Sequence, residues 1–256
     1  MGHEASGIGR GHDPSQQDGA DSPPAVSVVI PALNEAAGIG ATLASVATQP
    51  GPWEVVVVDG GSDDGTAEAV ARAMPEARVI RTERGRARQM NAGAAATSGE
   101  ILLFLHADTH LSPGALAEAR EALRDPETVG GCFRTEFAGP GAESRWMRLW
   151  ESRLWMRWHR FAFGDRAPFV RRDEFKAVGG FRDQRLFEDL DLVRDLRAQG
   201  RFAYLDLPVR TSARRFGANG ALSQQLRNLA LWAGWNAGLS PDRLARYYAA
   251  TGQRRG

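Results

Sequence analysis

Three short stretches carry residues that could do chemistry. ILLFLHADTHL, Ile101 to Leu111, runs apolar residues straight into His106 and Asp108. VVVVDGGSDDGT places Asp59, Asp63 and Asp64 after a run of valines, with Gly60, Gly61 and Gly65 between and beside them. FEDLDLVRDLRAQG sets Glu188 and Asp189 at the head of a helical pattern. Side chains at i and i+2 of a strand face the same side. His106 and Asp108 would therefore converge on one spot if the extended conformation persisted that far. A carboxylate beside an imidazole is a donor set for a divalent cation. A strand leaving the core also ends in polar residues. Paired carboxylates can serve as a base, and they also favour a helix N-terminus electrostatically. Each stretch taken alone leaves both readings open.

The elements around them decide whether they meet. Val26 to Ile30 reads as an apolar strand stopped by Pro31, with Asn34 and Glu35 just beyond. Ile39, Leu43 and Val46 recur at helical spacing, which predicts a helix over Ala36 to Thr48. Glu54 to Val58 is a second buried strand, Thr66 to Met74 a helix, and Arg78 to Ile80 a short strand. An Ala-rich helix from about Gly85 to Thr97 carries Arg86, Arg88 and Asn91 near its start. Ile101 to Leu105 is the fourth strand. Pro113 to Leu123 is a helix with Pro near its first turn, where a missing N–H costs little. Strands alternating with helices predict an α/β domain with a mainly parallel sheet. Ligands of such sheets sit at the carboxyl ends of the strands. Polar residues collect at those ends: Asn34 and Glu35, then Asp59 to Asp64, then His106 to Asp108. One polar strand exit is ordinary, but three on one edge predict a site.

The second half reads differently. Val129 to Phe137 and Ala167 to Arg171 are expected strands, Phe187 to Gly200 a helix, and Phe202 to Leu207 a last strand. Helices around Ala221 to Ala237 and Pro241 to Ala249 finish the chain. The 256 residues suffice for one large domain or two small ones, and a hydrophobic content of 43% supplies a core. A net charge of +1 gives no reason to expect nucleic acid as a partner. Cys132 is the single cysteine, so an intramolecular disulfide and a multi-Cys zinc site are excluded, which suits a reducing cytoplasm. No apolar run approaches the roughly 20 residues that span a bilayer as a helix. Residues 1–24 are polar, show no secretory signal, and are expected to form a disordered tail. Gly7, Gly9 and Gly11 follow no strand and make no dinucleotide fingerprint. The opening Met-Gly-His-Glu-Ala-Ser fits the short myristoylation pattern.

VSVVIPALNE, VVVVDGGSDDGT, GRARQMNAGAAATSGEILLFLHADT, FVRRDEFKAVGGF and EDLDL follow one another in this order. Together they resemble glycosyltransferase family 2, from about Val26 to Gly200. The resemblance implies a GT-A-like nucleotide-diphospho-sugar transferase fold, α/β, with a mainly parallel central sheet flanked by helices and with C-terminal helices. It divides the chain into a tail (1–24), a GT-A domain (25–215) and a helical extension (216–256). It implies a nucleotide-sugar donor, a hydroxyl acceptor and, as in most members, inversion at the anomeric centre. By the same resemblance Pro31, Asn34, Glu35, Asp59, Arg88, Asn91, His106 and Asp108 face the donor. Asp189 is the expected general base, with Glu188 beside it. Asp63, Asp64 and Thr66 suit turn and cap chemistry as well as ligand contact.

The chain departs from the pattern in two places. The family's strand often ends in Asp-x-Asp, whose last carboxylate holds a divalent cation on the donor diphosphate. Here His106 replaces the first carboxylate and Asp108 keeps the last position. Mn²⁺ accepts imidazole and Mg²⁺ prefers oxygen, so the expectation is a Mn or Mg cation on Asp108 and His106. Related folds often supply a His after the acidic helix, and this chain has none beyond His159. Arg214 and Arg215 offer a second way to neutralise phosphate. Two other readings stand beside transfer. One is a sugar nucleotidyltransferase, disfavoured by the absence of a Gly-rich, Lys/Arg-bearing loop after the first strand. The other is a catalytically inactive nucleotide-sugar-binding protein, which the His106 replacement favours.

Trp146, Trp150, Leu154, Trp158 and Phe161 recur at helical spacing, with Arg145, Arg148, Arg153, Arg157 and Arg160 between them. Such a helix suits an anionic membrane surface and a lipid-borne acceptor, and it equally suits packing against the sheet or a second copy. The membrane reading places the protein in the cytoplasm, peripheral at the inner face of the plasma membrane.

Overall fold

The computed structural model describes residues 25–138, 166–184, 186–212 and 221–252. The tail, the Trp- and Arg-rich segment 145–161, and Arg214 and Arg215 lie outside the described residues. In chain order the elements are β1 (Val26–Ala32), α1 (Ile39–Ala47), β2 (Trp53–Asp59), α2 (Thr66–Ala73), β3 (Arg78–Arg81), α3 (Arg86–Ala95), β4 (Ile101–Phe104), β5 (Thr109–Leu111) and α4 (Ala115–Ala122). Then follow β6 (Thr128–Ala138), β7 (Phe169–Arg171), α5 (Arg172–Ala177), α6 (Glu188–Gln199), β8 (Arg201–Ser212), α7 (Ala221–Asn236) and α8 (Pro241–Gly252).

The strands form one sheet in the order β3-β2-β1-β4-β7-β6-β8-β5. Pairing is parallel between β1 and β2, β1 and β4, β2 and β3, and β6 and β8. It is antiparallel where β7 meets β4 and β6 and where β5 meets β8. The mainly parallel sheet expected from the alternation is therefore present, with two reversed strands. The central strands read as unbroken apolar runs because helices cover both faces. On one face Ile30, Val57 and Leu103 pack with Ile39 and Leu43 of α1, Val70 of α2 and Leu116 of α4. On the other Val29, Val58, Leu102 and Phe104 pack with Met90 and Ala94 of α3 and Leu192 and Leu196 of α6.

The chain runs outward from β1 through β2 to β3, then returns by α3 to β4 on β1's other side. Strand order thus reverses between β1 and β4, which is where open α/β sheets hold ligands. The return helix lies very close to the sheet. A Cβ on Gly93 would stand 2.3 Å from Val29 Cγ1 and 3.0 Å from Val58 Cγ2. That closeness explains the small residues of α3 and brings its first turn to the carboxyl edge. The opposite edge is closed by a polar network. Glu54 Oε1 accepts Ser27 Oγ at 2.8 Å, Ser98 N–H at 2.6 Å and Gly99 N–H at 2.9 Å. Burial pushes the Glu54 carboxyl up, but these hydrogen bonds outweigh it and hold it below its ordinary value.

Several elements differ from the sequence reading, each for a physical reason. Pro31 does not stop β1, which continues to Ala32 beside Asp59. Leu105 N–H still bonds Val29 O at 3.0 Å. Pro31, two residues on along that side, lacks its N–H where β4 has already left the ladder, so the ring is tolerated. The helix expected over Ala36 to Thr48 begins only at Ile39, because Glu35 O is first taken up by a turn to Gly38 N at 3.0 Å. β8 runs to Ser212 through Pro208, which stands at a register shift against Phe133 and Arg134. A bulge is a place where a sheet accepts proline. β5 and α5 were not anticipated. β5 is three residues long and exists only through pairing with β8.

Candidate active site

At the carboxyl ends of β1 and β2 the two loops are laced together. Asp59, 1% exposed, accepts Ser62 Oγ at 2.6 Å, Ser62 N–H at 2.8 Å and Gly61 N–H at 3.2 Å on Oδ1, and Arg81 Nε at 3.3 Å on Oδ2. Burial pushes the Asp59 carboxyl up, but the bonds from Ser62, Arg81 and Gly61 hold it below its ordinary value. Asn34 adopts φ 55°, a left-handed conformation that asparagine tolerates better than most residues. Its N–H donates to Ser62 Oγ at 2.9 Å and its Oδ1 accepts Asp63 N–H at 3.0 Å. Glu35 N–H donates to Thr66 Oγ1 at 2.9 Å, and Ala36 N–H to Asp64 Oδ2 at 2.9 Å. Thr66 also donates to Asp64 Oδ1 at 2.5 Å. Turn chemistry accounts for Asp64 and Thr66, and it engages much of Asn34 and Asp59 as well.

Gln89, which the sequence reading passed over, ties this edge to α3. Its Nε2 donates to Ala32 O at 2.9 Å and Val58 O at 2.8 Å, the carbonyls where β1 and β2 end. Nothing in the spacing of GRARQMNAG distinguishes Gln89 from a solvated polar residue. Asn91 clamps the next motif, with Nδ2 donating to Phe181 O at 2.8 Å and Oδ1 accepting Phe181 N–H at 2.9 Å. Gly180 supports this with φ 72° and no side chain, since a Cβ there would lie 2.8 Å from Asn91 Oδ1. Arg88 is exposed and pairs with Asp183 at 2.9 Å and Glu83 at 2.6 Å.

The same clamp brings α6 to the edge. Arg86 Nη1 reaches Glu188 Oε1 at 3.2 Å across 102 residues of chain. Glu188 and Asp189 are 3% and 7% exposed, both in the first turn of α6. Asp189 Oδ1 accepts the Leu190 N–H at 2.8 Å. Phe187, just before the helix, has φ 66°. Left-handed backbone at a bulky residue is strained and persists only when its surroundings hold it. Here its ring meets Trp235 of α7 at 5.9 Å, and Arg194 of α6 lies 5.5 Å over the same Trp. Asp191 completes the turn by accepting Gln184 Nε2 at 2.7 Å, and it forms an ion pair with Arg194 Nη2 at 2.6 Å.

His106 and Asp108 do share a neighbourhood, though not by strand pleating. β4 ends at Phe104, and Thr109 N–H bonds His106 O at 3.0 Å, so His106 to Thr109 is a tight turn. Two flanking elements pin it. Thr42 of α1 donates to Ala107 O at 2.7 Å, and Ser212 N–H of β8 donates to Asp108 O at 3.1 Å. His106, Asp108 and His110 are each half-buried, while Ala107 and Thr109 between them are buried. Burial holds the His110 imidazole below its ordinary value; Asp108 opposes that shift and Arg210 adds to it. No group of three or more His, Cys, Asp or Glu side chains among the described residues is placed to hold a metal. One carboxylate and one imidazole instead match a cation that takes most of its shell from substrate oxygens and water.

The candidate residues fall into two groups along the carboxyl edge. The first wall is the β1 and β2 loops with Asn34, Glu35 and Asp59. The second is the β4 turn with His106 and Asp108 together with the start of α6, where Arg86 of α3 holds Glu188 beside Asp189. The family model described as Glycosyl transferase family 2 matches residues 27–182. An uncharacterised glycosyltransferase of Mycobacterium tuberculosis is 38% identical over 107 residues, which are 40% of this chain and 41% of that protein. A PGL/p-HBAD biosynthesis glycosyltransferase of Mycobacterium bovis is 43% identical over 94 residues, 34% of this chain and 37% of that one. The chain thus spans 37–41% of the length of these curated relatives. Among solved structures, the mannosyltransferase PcManGT from Pyrobaculum calidifontis in complex with GDP-Man and Mn²⁺ matches with a TM-score of 0.63 at 24% identity, over 82% of this chain and 64% of that one. Residues 1–349 of S. aureus TarS in complex with UDP-GlcNAc match with a TM-score of 0.59 at 20% identity, over 74% and 58% of the two chains. At these identities the structural likeness is one of fold.

Proposed function

The chain belongs to glycosyl transferase family 2 and has a GT-A-like fold, and on that premise we propose that it moves a sugar from a nucleotide-diphosphate donor to a hydroxyl acceptor with inversion. One observation carries the reading: two buried carboxylates, Glu188 and Asp189, are held in the first turn of α6 beside the edge where strand order reverses. The donor lies across that edge, its nucleoside towards Asp59 and its diphosphate towards the β4 turn. Asp189 takes the proton of the acceptor hydroxyl as that oxygen bonds to the anomeric carbon. The bond from that carbon to the diphosphate oxygen breaks, and the nucleoside diphosphate leaves with the electron pair. Asp108 and His106 would hold a divalent cation, which would supply charge neutralisation to the diphosphate oxygens. Arg86 keeps Glu188 in place, and Asn91 acts through the Phe181 turn, as a positioning residue. Arg88 is the weaker candidate for donor contact, because Asp183 and Glu83 already engage it.

The acceptor class proposed is a lipid-borne alcohol, on the strength of the amphipathic Trp and Arg pattern at 145–161. No helix among the described residues is long and apolar enough to cross a membrane. Salt-reversible pelleting with anionic liposomes, lost in Trp146→Ser with Trp150→Ser, is the expected result. Absence of pelleting at low ionic strength would point to a water-soluble acceptor.

The decisive experiment is a melting-temperature screen of nucleotide sugars with and without Mn²⁺, followed by transfer and hydrolysis assays with the stabilising donor. The correct donor raises the melting temperature by mass action. Donor binding with neither hydrolysis nor transfer across a broad acceptor panel would leave a binding protein. No stabilisation by any nucleotide sugar would overturn the proposal.

A further inference from the structure

Arg166 belongs to no motif discussed above. Its Nη1 is buried and has no hydrogen-bond partner among the described residues. The sheet beside it is well defined. The β4–β7 ladder pairs Ile101 with Arg171, Leu102 with Val170 and Leu103 with Phe169, and Phe104 N–H then bonds Pro168 O at 2.9 Å. Beyond that bond both chains leave the sheet at the same edge. One goes forward through Leu105 to His106, and the other goes back through Ala167 to Arg166. Ala167 is fully buried and has φ 45°. A non-glycine residue held in that region by core packing gives Arg166 a set backbone rather than a free one.

A guanidinium does not give up its proton at any ordinary pH. A buried N–H of such a group without an acceptor is a costly omission that calls for an explanation. An oxygen acceptor supplied by a ligand at the β4–β7 edge would complete it, and an anionic one suits a permanent cation best. On the donor reading above, the nucleoside lies towards β1 and β2, so the phosphate nearest the sugar reaches the β4 end. The planar fork of arginine matches a phosphate group's oxygens. Resting on that donor reading, we propose that Arg166 is a cationic contact to the phosphate that leaves with the nucleotide, so that diphosphate recognition at this edge does not depend on a divalent cation alone.

Calorimetric titration of the full chain tests this with UDP, GDP and ADP and the matching monophosphates, each in EDTA and in Mn²⁺. Wild type is expected to bind one diphosphate in EDTA. Arg166→Gln weakens that binding roughly tenfold to a hundredfold, the usual loss for a charged hydrogen bond, and leaves the matching monophosphate nearly unchanged. Arg166→Lys falls between. The ligand-free melting temperature of Arg166→Gln stays at or above wild type, because no partner is lost. Equal diphosphate affinity in wild type and Arg166→Gln overturns the proposal. So does a parallel loss of mono- and diphosphate binding with a lowered melting temperature in both variants. If wild type binds no nucleoside diphosphate in either buffer, the donor reading itself falls and takes this assignment with it.

Discussion

At the ends of β1 and β2 the polar side chains bond one another. Asp59, Ser62, Asn34, Asp64 and Thr66 are bonded within two loops, with Arg81 of neighbouring β3 on Asp59. At the β4 turn, β7 and α6 the charged groups are set by elements far away in sequence: Glu188 by Arg86, and Phe187 by Trp235. Arg166 Nη1 meets no partner among the described residues. The side chains of the first wall are engaged with one another without a ligand. The second holds buried carboxylates, Glu188 and Asp189, on a helix pinned by long-range contacts, and on the proposed function they face the reaction. Substitutions in the first wall should therefore be felt mainly as lost stability, and substitutions in the second mainly as lost turnover or affinity.

The sharpest break of that contrast is Asp189→Asn. Turnover should fall by roughly 10²–10⁴, the usual contribution of a general base, while donor affinity changes little. Single-turnover kinetics with calorimetry of donor binding separates the two. Near-normal turnover would move the base elsewhere.

Asp59→Ala should destabilise the fold by about 2–3 kcal/mol, because a buried charged acceptor of several hydrogen bonds is removed and Ser62 and Gly61 lose it. Urea unfolding measures this. The effect should depend on pH. The Asp59 and Glu54 carboxyls lie below their ordinary values of 3.8 and 4.5 in the folded state. Their contribution is fully present above those values and is lost as pH falls through the lower folded ones. The wild-type urea midpoint should therefore drop below about pH 4.5, and Glu54→Gln and Asp59→Asn should show a shallower acid loss from a lower starting point. An unchanged acid slope in both variants would remove these carboxylates from the account.

Asp108→Ala should weaken nucleoside diphosphate binding in Mn²⁺ about tenfold, one charged contact's worth, and His106→Ala less. If chelator leaves wild-type affinity intact and Asp108→Ala binds normally, no cation bridges this wall to the donor. Arg88→Ala is the smallest expected effect, with a urea midpoint close to wild type, because its ion pairs are exposed. A large loss of donor affinity in that variant would place Arg88 against the donor and blur the contrast.

The local pattern alone determined much of this protein. The apolar runs of β1, β2 and β4 announce strands covered on both faces. The 3.6-residue spacing of Ile39, Leu43 and Val46 marks a core-facing helix. Asn34, Asp59 and Asp108 stand at strand ends whatever the detailed geometry. Five ordered motifs were enough to expect the family. What the residues do to one another was not legible. The sequence allowed His106 and Asp108 to meet on a pleat, and the bonds from Thr42 and Ser212 made them a turn instead. Asn91 has the spacing of a ligand contact, yet its amide meets Phe181, 90 residues on. β5 has too few residues to signal a strand and forms only against β8, where Thr109 and Thr211 share a hydrogen bond across 102 residues. Gln89 and Arg166 carry no local mark at all. Periodicity is a property of neighbours along the chain, whereas a side chain's hydrogen-bond partner depends on which distant backbone the packed sheet brings within about 3 Å.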